Sequence, residues 1–386
     1  MSMNFDFMSA GRIVFGSGTL GVAADEAQRL GRKAFVVAGS SVSRVAPLLE
    51  MLSAKDLDYE VYHVTGEPTV AVVQEASALA AGCDLTIAMG GGSVLDTGKA
   101  VSALITNKGE LMDYLEVIGK GQPLTNPTVP FIAIPTTAGT GTEVTRNAVI
   151  GSPEHKVKVS MRSPYMLPDL VVIDPRLTLG LPPQPTAFSG LDALTQLMEA
   201  FVTVRANAIT DALCREGVMR ARRSLQRACE HGDDLEARED MAVASLFSGF
   251  ALANAGLGAV HGLAGPLGGM TAAPHGAICA SLLPHVMEVN ITALKQRVPD
   301  SPGMAKYLEL AAMLTGDGAS TVDDGVAWVR KLCDKLEIPS LSDLGFNQGH
   351  IAEAVVQGRQ ASSMKGNPIE LTDKELETIL RRASRV

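Results

Sequence analysis

At 386 residues, the chain is longer than one hydrophobic core usually supports, so we expect two domains that each bury a substantial core. Hydrophobic residues make up 46% of the sequence and aromatic residues only 4%, which predicts compact cores that are mostly aliphatic. The net charge is −9, and the sequence has no concentrated run of Lys and Arg. These charges argue against nucleic acid or an acidic membrane as a partner, since both require a basic surface.

The cysteines and the N-terminus bear on the cellular compartment. The five cysteines are scattered, odd in number and without a C-x-x-C pair, a pattern that indicates neither a disulfide framework nor a zinc knuckle. The first residues lack the charged and apolar regions of a signal peptide, and no uninterrupted apolar stretch reaches about 18 residues. We therefore expect a soluble, cytoplasmic protein without a membrane segment.

Short β-branched runs alternate with helical patterns through the first half of the chain. The predicted strands cover residues 12–15, 33–37, 60–64, 85–89, 131–134 and 170–173. The predicted helices between the first five strands cover residues 19–30, 44–54, 70–81 and 93–104. This alternation is typical of a parallel sheet with helical connections.

The second half of the sequence has a different pattern. Strand signals nearly stop after the proline-rich segment Leu181–Pro185, and helix-period segments follow over residues 187–202, 209–230 and 241–263. We place the domain boundary near residue 180. The predicted fold class is an α/β N-terminal domain with a parallel, Rossmann-like sheet over residues 1–180, followed by an all-α C-terminal domain over residues 181–386.

A glycine-rich turn, Gly90–Ser93, follows a predicted buried strand and opens a helix. Its glycines lack the Cβ atoms that would keep the backbone away from a pyrophosphate, and the helix N-terminus offers free N–H groups. The turn therefore predicts a phosphate site at Gly91, Gly92 and Ser93, and the next helical turn adds Asp96 as a further cofactor contact. The alternative is a tight strand-to-helix turn that binds no ligand.

The segment Gly16–Gly21 also has the spacing G-x-G-x-x-G between a predicted strand and a predicted helix. A dinucleotide site of this type would have an acidic residue at the end of the next strand, where the sequence has Ala38–Ser41 instead. We interpret Gly16–Gly21 as a turn without a cofactor role.

A threonine-rich turn follows the strand predicted at residues 131–134. Its hydroxyl oxygens and backbone amides can bind phosphate, ribose or a carboxamide. The alternative is a turn that uses these groups only for hydrogen bonds within itself and binds no ligand. The carboxyl ends of parallel strands lie at one edge of a sheet, so this turn and the glycine turn together predict a nucleotide cleft. The predicted contacts from this segment are Thr136, Thr137, Thr140 and Thr145.

The helical half contains a polar cluster in an apolar setting. Asp192 and Gln196 lie four residues apart in a predicted helix and so share one face. Their candidate partners are His261, near the end of the third predicted helix, and His275, which opens the next helix. The segment Gly265–Gly269 predicts a break between these two, so that the histidines lie on separate elements and can converge. One carboxylate and two imidazoles suffice to hold a divalent metal, whereas either histidine alone could be a buried or capping residue.

Together these motifs resemble the iron-containing, or group III, alcohol dehydrogenase family, which is related by fold to glycerol dehydrogenases and dehydroquinate synthases. The resemblance extends nearly from end to end of the chain, with the motifs in the same order. Besides the glycine turn, the segments that carry it are Phe15–Gly18, Glu67–Thr69, Pro135–Thr145, Pro168-Asp169, Asp174-Pro175, Gly190–Thr195, His261-Gly262, Pro274–Gly276 and Asn367-Pro368.

The resemblance implies an oxidoreductase that transfers a hydride between NAD or NADP and a small alcohol or aldehyde. A divalent metal, Fe²⁺ with Zn²⁺ as the alternative, would polarise the substrate oxygen. The glycine and threonine turns would hold the cofactor. Asp192, His261 and His275 would be the catalytic metal ligands, and the protein would form a homodimer.

The sequence departs from the family pattern at three positions. Gln196 stands where the family usually has a histidine ligand, so it would be a weaker fourth ligand or an outer partner, or the metal has been lost. Gly265 stands where many members have a histidine suited to relaying the alcohol proton. Gly39 stands where NAD-preferring members often have an aspartate, and with Ser40 nearby as a donor it predicts a cofactor site that accepts NADP.

Two other functions remain open. A metal-independent carbonyl reductase of the same fold, similar to the maleylacetate reductases, would account for Gln196 and Gly265. A noncatalytic nucleotide-binding protein would keep the cofactor turns while its reaction site decayed, but the retention of Asp192, His261 and His275 argues against it. Full activity after exhaustive chelation would indicate the reductase, and cofactor binding without turnover would indicate the binding protein.

Overall fold

The computed structural model describes residues 4–155, 157–271 and 273–385. Its contacts divide the chain into two compact units. An α/β unit comprises Met8–Leu179, and a helical unit begins at Gly180 and also includes the N-terminal segment up to Phe7.

The α/β unit is built on a six-stranded parallel sheet in the order β1-β8-β5-β4-β2-β3. Its strands are β1 (Arg12–Phe15), β2 (Lys33–Gly39), β3 (Asp58–Val64), β4 (Leu85–Gly90), β5 (Phe131–Pro135) and β8 (Leu170–Ile173). Its helices are α1 (Gly21–Leu30), α2 (Val42–Ser53), α3 (Val70–Leu79), α4 (Gly92–Thr106) and α5 (Leu111–Tyr114). An antiparallel hairpin that the sequence pattern did not predict, β6 (Asn147–Ser152) and β7 (Val157–Arg162), lies between β5 and β8 along the chain.

Helices cover the sheet because its central strands are apolar on both faces. On one face, Leu48 and Leu52 of α2 belong to the same buried cluster as Val36 and Ile87 of the strands. On the other face α4 approaches closely at Gly98, where a Cβ atom would lie only 2.6 Å from the Cβ of Ala88.

The strand order creates a crevice at the carboxyl ends of β2 and β4. The chain leaves β2 for its outer neighbour β3 and then returns to β4 on the opposite side of β2. Ligands of such sheets bind where the strand order reverses, outside the carboxyl ends of the strands. Gly39 ends β2 and Gly90 ends β4, so both residues border this point.

The helical unit contains nine α-helices among the described residues. They are α6 (Pro183–Val202), α7 (Ala208–Glu230), α8 (Leu235–Ala255), α9 (Ala259–Met270), α10 (His275–Arg297), α11 (Pro302–Thr315), α12 (Val322–Lys335), α13 (Ile351–Gln360) and α14 (Asp373–Ala383). The predicted fold class, a parallel α/β sheet followed by a helical region, is confirmed.

Two helix predictions in this unit are wrong. Residues 241–263 do not form one helix, because α8 ends at Ala255 and α9 leaves it at an angle of 98°. Gly256 adopts φ +74°, a conformation that side chains disfavour, and this lets the chain turn there. The segment Gly265–Gly269, predicted to break the helix, lies inside α9, so Pro266 costs a backbone hydrogen bond without ending the helix.

Helix α10 is long and apolar enough to cross a membrane by length and composition, and the bent pair α8–α9 would count as a second such segment. Within the folded helical unit, however, 83% of the 18-residue apolar segment of α10 is buried. This is the burial expected of a core helix in a soluble protein.

Candidate functional site

Helix α6 presents three polar side chains on one buried face. Asp192, Gln196 and Glu199 follow each other at intervals of four and three residues, which brings them to the same side of a helix. They are 2%, 3% and 6% exposed. The Nε2 of Gln196 donates a hydrogen bond of 3.2 Å to Oδ2 of Asp192.

Glu199 fixes His261, which lies in the first turn of α9. Oε1 of Glu199 accepts a hydrogen bond from the backbone N–H of Val260 at 2.6 Å, and Oε2 of Glu199 lies 2.6 Å from Nδ1 of His261. Because the Glu199 carboxylate acts as an acceptor, we assign the imidazole proton to Nδ1. In the neutral imidazole Nε2 then carries the lone pair that can bind a metal, and this atom lies 3.3 Å from Oδ1 of Asp192.

Helix α10 supplies two more groups to the same place. His275 is its first residue, and Cys279 follows one turn later on the same face. The Sγ of Cys279 lies 3.5 Å from Nε2 of His275 and 3.7 Å from Nε2 of His261. Cys279 is buried, whereas 34% of the His275 side chain is exposed, so the cluster is open to solvent at His275.

The cluster stabilises positive charge. Burial tends to lower the pKa of His261, but the charge of the Cys279 sulfur and the contacts with Asp192 and Glu199 raise it well above its usual value. The pKa of His275 is also raised, chiefly by the charge of Cys279. Burial tends to raise the pKa of Asp192, yet the contact with His261 and the charge of His275 lower it below the usual value.

These residues fit a divalent metal. One ligand atom from each of Asp192, His261, His275 and Cys279 lies within 4.8 Å of the other three. In the described part of the chain, Oδ1 of Asp192 and Oε1 of Gln196 are buried without a hydrogen-bond partner. Buried oxygen atoms without partners are costly, and a bound cation would satisfy them. Carboxylate, imidazole and thiolate are all ligands of Zn²⁺ and Fe²⁺.

In the α/β unit, the glycine turn and the threonine turn touch each other. A Cβ atom on Gly91 would lie 3.4 Å from Thr137, and one on Gly92 would lie 3.0 Å from Thr140. The backbone N–H of Thr136 donates a hydrogen bond of 2.9 Å to the carbonyl of Gly90. The two turns thus form one surface at the N-terminus of α4, where backbone N–H groups and the helix dipole favour a phosphate.

Family models match both units. A model described as "Iron-containing alcohol dehydrogenase" matches residues 10–175, and "Fe-containing alcohol dehydrogenase family, C-terminal" matches residues 186–384. The chain is 34% identical to a 1,3-propanediol dehydrogenase from Klebsiella pneumoniae over 98% of both chains. The chain belongs to the iron-containing alcohol dehydrogenase family.

Solved structures agree with this assignment. A 1,3-propanediol oxidoreductase has a TM-score of 0.90 at 33% identity, covering 98% of this chain and 100% of that one. A sulfoacetaldehyde reductase from Bifidobacterium kashiwanohense, in complex with NAD⁺, has a TM-score of 0.86 at 26% identity, covering 99% of both chains. This alcohol dehydrogenase is therefore an oxidoreductase that acts on alcohols and aldehydes with NAD(P) and a divalent metal.

The four metal-site residues predicted from this alcohol dehydrogenase's sequence lie together, but the prediction missed two neighbours. The scattered cysteines form no motif of their own, but Cys279 follows His275 by four residues on a predicted helix, a spacing that places both on one face. Glu199 follows Gln196 by three residues in the helix predicted at 187–202, and this spacing also places both side chains on one face. At Gly265, where many family members have histidine, a Cβ atom would meet no heavy atom within 4 Å.

Asp96 and Thr145, both predicted cofactor contacts, take part in a buried network. The Nζ of Lys99 donates to Oγ1 of Thr145 at 2.7 Å and to Oγ1 of Thr142 at 3.2 Å. Thr142 in turn donates to Oδ1 of Asp96 at 2.7 Å. Burial lowers the pKa of Lys99 to about 8 and raises the pKa of Asp96. This network holds the threonine segment against α4.

Gly39 and Ser40 lie at the end of β2, beside the glycine turn. Ala38 pairs with Met89 in the sheet, which brings Gly39 next to Gly90. A Cβ atom on Gly39 would meet only Val94, at 3.9 Å, and Ser40 is exposed. The end of β2 therefore has room for a larger group.

The alternative glycine motif lies elsewhere in the sheet. It follows β1, an edge strand that pairs only with β8 among the described strands. Gly18 adopts φ +84°, and its N–H donates a hydrogen bond of 2.9 Å to Oδ2 of Asp174. This backbone group is occupied by the protein itself.

Proposed function

We propose that Asp192, His261 and His275 are the metal ligands and catalytic residues of this alcohol dehydrogenase. The observation that carries the proposal is the convergence of their ligand atoms around an otherwise unpartnered carboxylate oxygen of Asp192. The bound divalent metal supplies Lewis acidity to the oxygen of an alcohol or aldehyde.

Residues around the ligands position them. Glu199 keeps the proton of His261 on Nδ1, which leaves Nε2 free to coordinate. Gln196 donates to Oδ2 of Asp192 and so turns Oδ1 toward the histidines, while its own Oε1 remains available as a weak ligand. The exposed side of His275 provides the path by which substrate reaches the site.

We propose that the cofactor binds across the crevice between β2 and β4. Gly91, Gly92 and Ser93 at the start of α4 would contact the pyrophosphate, and Thr137 and Thr140 would contact the phosphate or ribose oxygens beside them.

The remaining predicted cofactor residues have two other roles in this proposal. Asp96, Thr136 and Thr145 would maintain the turn through their own hydrogen bonds. Gly39 and Ser40 would lie near the adenosine ribose, where the absence of a carboxylate admits the 2′-phosphate of NADP.

The substrate, assembly and compartment are proposals that rest on the family. The name of the Klebsiella pneumoniae relative makes short diols and their aldehydes the first substrates to examine. We propose a homodimer in the cytoplasm, in agreement with the five free, buried cysteines.

Metal analysis and two substitutions test the metal role. We expect Asp192→Ala and His261→Ala to lose bound metal and at least about a hundredfold in kcat/KM, since Lewis-acid stabilisation amounts to several kcal/mol. His231→Ala, at an exposed histidine of the same unit, is the matched control and should keep both. Unchanged turnover in both site variants would reject the proposal.

The same assays separate the alternatives. Full activity of a metal-free protein after exhaustive chelation would indicate a metal-independent reductase. NAD(P)H binding without turnover over a broad panel of alcohols, aldehydes and keto acids would indicate a noncatalytic binding protein.

A further inference from the structure

We propose that Cys279 is a sulfur ligand of the metal and that it shifts the site's preference toward Zn²⁺ relative to Fe²⁺. The inference rests on the proposed function in one respect, namely that the metal binds at Asp192, His261 and His275. It differs from the expectation that Gln196 supplies the fourth ligand.

The position of Cys279 on α10 is fixed by the helix. Pro274 precedes the helix, His275 opens it, and Cys279 lies one turn further along the same face. Its side chain is fully buried, and its sulfur contacts the Nε2 atoms of two histidines from different helices. The sulfur is therefore held at the point where the other ligand atoms meet.

The distances agree with those of four protein ligands at tetrahedral angles, and the site would take the substrate oxygen as a fifth ligand, a coordination number that catalytic zinc can reach. Bond lengths of about 2.3 Å to sulfur and about 2.0–2.1 Å to nitrogen give sulfur–nitrogen separations of roughly 3.5–3.6 Å at tetrahedral angles. The observed separations from Cys279 Sγ are 3.5 Å to His275 and 3.7 Å to His261.

The oxygen ligand fits in the same way. Tetrahedral geometry gives an oxygen–nitrogen separation of about 3.4 Å, and Oδ1 of Asp192 lies 3.3 Å from Nε2 of His261. The separation from Asp192 to His275 is longer, 3.9 Å, and it involves the most exposed side chain of the four. A small rotation of the His275 side chain would shorten this separation.

A thiol that only fills the core would have a different environment. Cys333, another buried cysteine of the helical unit, lies 3.7 Å from the carbonyl oxygen of Ala280, to which it donates. Cys279 instead contacts imidazole nitrogens, one of which is the lone-pair nitrogen of His261. A thiol has only one S–H group to donate, whereas a cation bound between the sulfur and the two imidazole nitrogens would satisfy all three atoms.

The role of Gln196 supports the same conclusion. Its amide nitrogen is engaged with Asp192, and only its carbonyl oxygen Oε1 is left for the metal. A neutral carboxamide is a weak ligand, whereas a thiolate adds a second negative charge beside that of Asp192. The two charges together balance a divalent cation in a buried site. A thiolate also favours zinc over the harder divalent ions.

The main test uses cobalt as a spectroscopic probe. The chelated, full-length protein is titrated with Co²⁺, and we expect a sulfur-to-cobalt charge-transfer band in the near ultraviolet. Cys279→Ser should still bind Co²⁺ but without this band, and with roughly tenfold or more lower Zn²⁺ affinity in competition with a chromophoric chelator. Its ratio of Zn²⁺ to Fe²⁺ affinity should also fall by roughly tenfold. Cys333→Ser is the matched control and should behave as the wild type.

A second measurement does not depend on a folded variant. X-ray absorption of the zinc-loaded wild-type protein should show one sulfur neighbour per zinc. A spectrum with only oxygen and nitrogen neighbours would overturn the proposal, as would an unchanged charge-transfer band in Cys279→Ser or Cys279→Ala.

Asp192→Ala separates this inference from the proposed function. If Asp192→Ala loses metal while both Cys279 variants keep wild-type affinity and selectivity, only the sulfur ligand is rejected. If Asp192→Ala binds metal as tightly as the wild type, the proposed metal site itself is wrong.

Discussion

At the scale of single residues, Gly39 matters because of the group that it lacks. It ends β2 beside the glycine turn, and a Cβ atom there would contact only Val94, at 3.9 Å. Its φ is not positive, so a larger residue can adopt the same backbone conformation. The position can therefore be used to change cofactor choice without disturbing the fold.

Gly39→Asp should shift cofactor preference toward NADH. The new carboxylate would repel a 2′-phosphate and accept hydrogen bonds from the ribose diol, so we expect the ratio of kcat/KM for NADPH to that for NADH to fall at least about tenfold. Steady-state kinetics with both cofactors measure this ratio. Gly39→Asn has nearly the same size without the charge, and an equal shift in that variant would show that charge is not the cause.

At the scale of elements, the bend between α8 and α9 determines where His261 lies. The bend leaves the backbone N–H of Val260 free to bind Glu199, and it places His261 one residue later in the first turn of α9. Gly258 lies against this arrangement, since a Cβ atom there would lie 2.9 Å from Oε1 of Glu199 and 3.0 Å from Oδ1 of Asn367. The position therefore requires glycine, because these two side-chain oxygens leave no room for a Cβ atom.

Gly258→Ala should weaken metal binding through Glu199. The added methyl group would displace the carboxylate that holds His261, so we expect about tenfold weaker metal affinity and a loss of about 1–3 kcal/mol in stability. Competition with a chelator and thermal unfolding of the metal-free protein measure the two effects. Gly265→Ala is the stability control, because its Cβ meets no heavy atom within 4 Å on the same helix. Equal unfolding temperatures for the two variants would contradict this explanation.

At the scale of the whole molecule, each unit contains one of the two candidate sites. The contacts of the glycine and threonine turns lie within the α/β unit, and the cluster around Asp192 lies within the helical unit. Neither site requires a side chain from the other unit for the contacts described. The two ligands should therefore stabilise different parts of the chain.

Hydrogen exchange measured by mass spectrometry should separate these two effects. We expect NADPH to slow exchange around residues 90–96 and 136–142, and Zn²⁺ to slow it around residues 190–199, 259–263 and 275–281, because ligands stabilise the conformations they bind. In Asp192→Ala the effect of zinc should disappear while that of NADPH remains. Zinc-dependent protection confined to the α/β unit would contradict the proposed site.

Local chemistry in the sequence was sufficient to predict much of the fold and the glycine turn at the start of α4. The β-branched runs, the glycine turn before α4 and the long helical periods depend on neighbours within a few residues, so they can be recognised one segment at a time. The order of motifs also identified the family, and with it the metal and cofactor chemistry.

Tertiary structure decided what those local signals could not. The bend at Gly256, the hairpin β6–β7 and the convergence of Glu199 and Cys279 on His261 depend on contacts between segments far apart in the chain. A cysteine on an apolar helix has the same local pattern whether it fills a core or binds a metal. Only the packing of α6, α9 and α10 around one point distinguishes the two, because coordination requires several ligand atoms within a few ångströms.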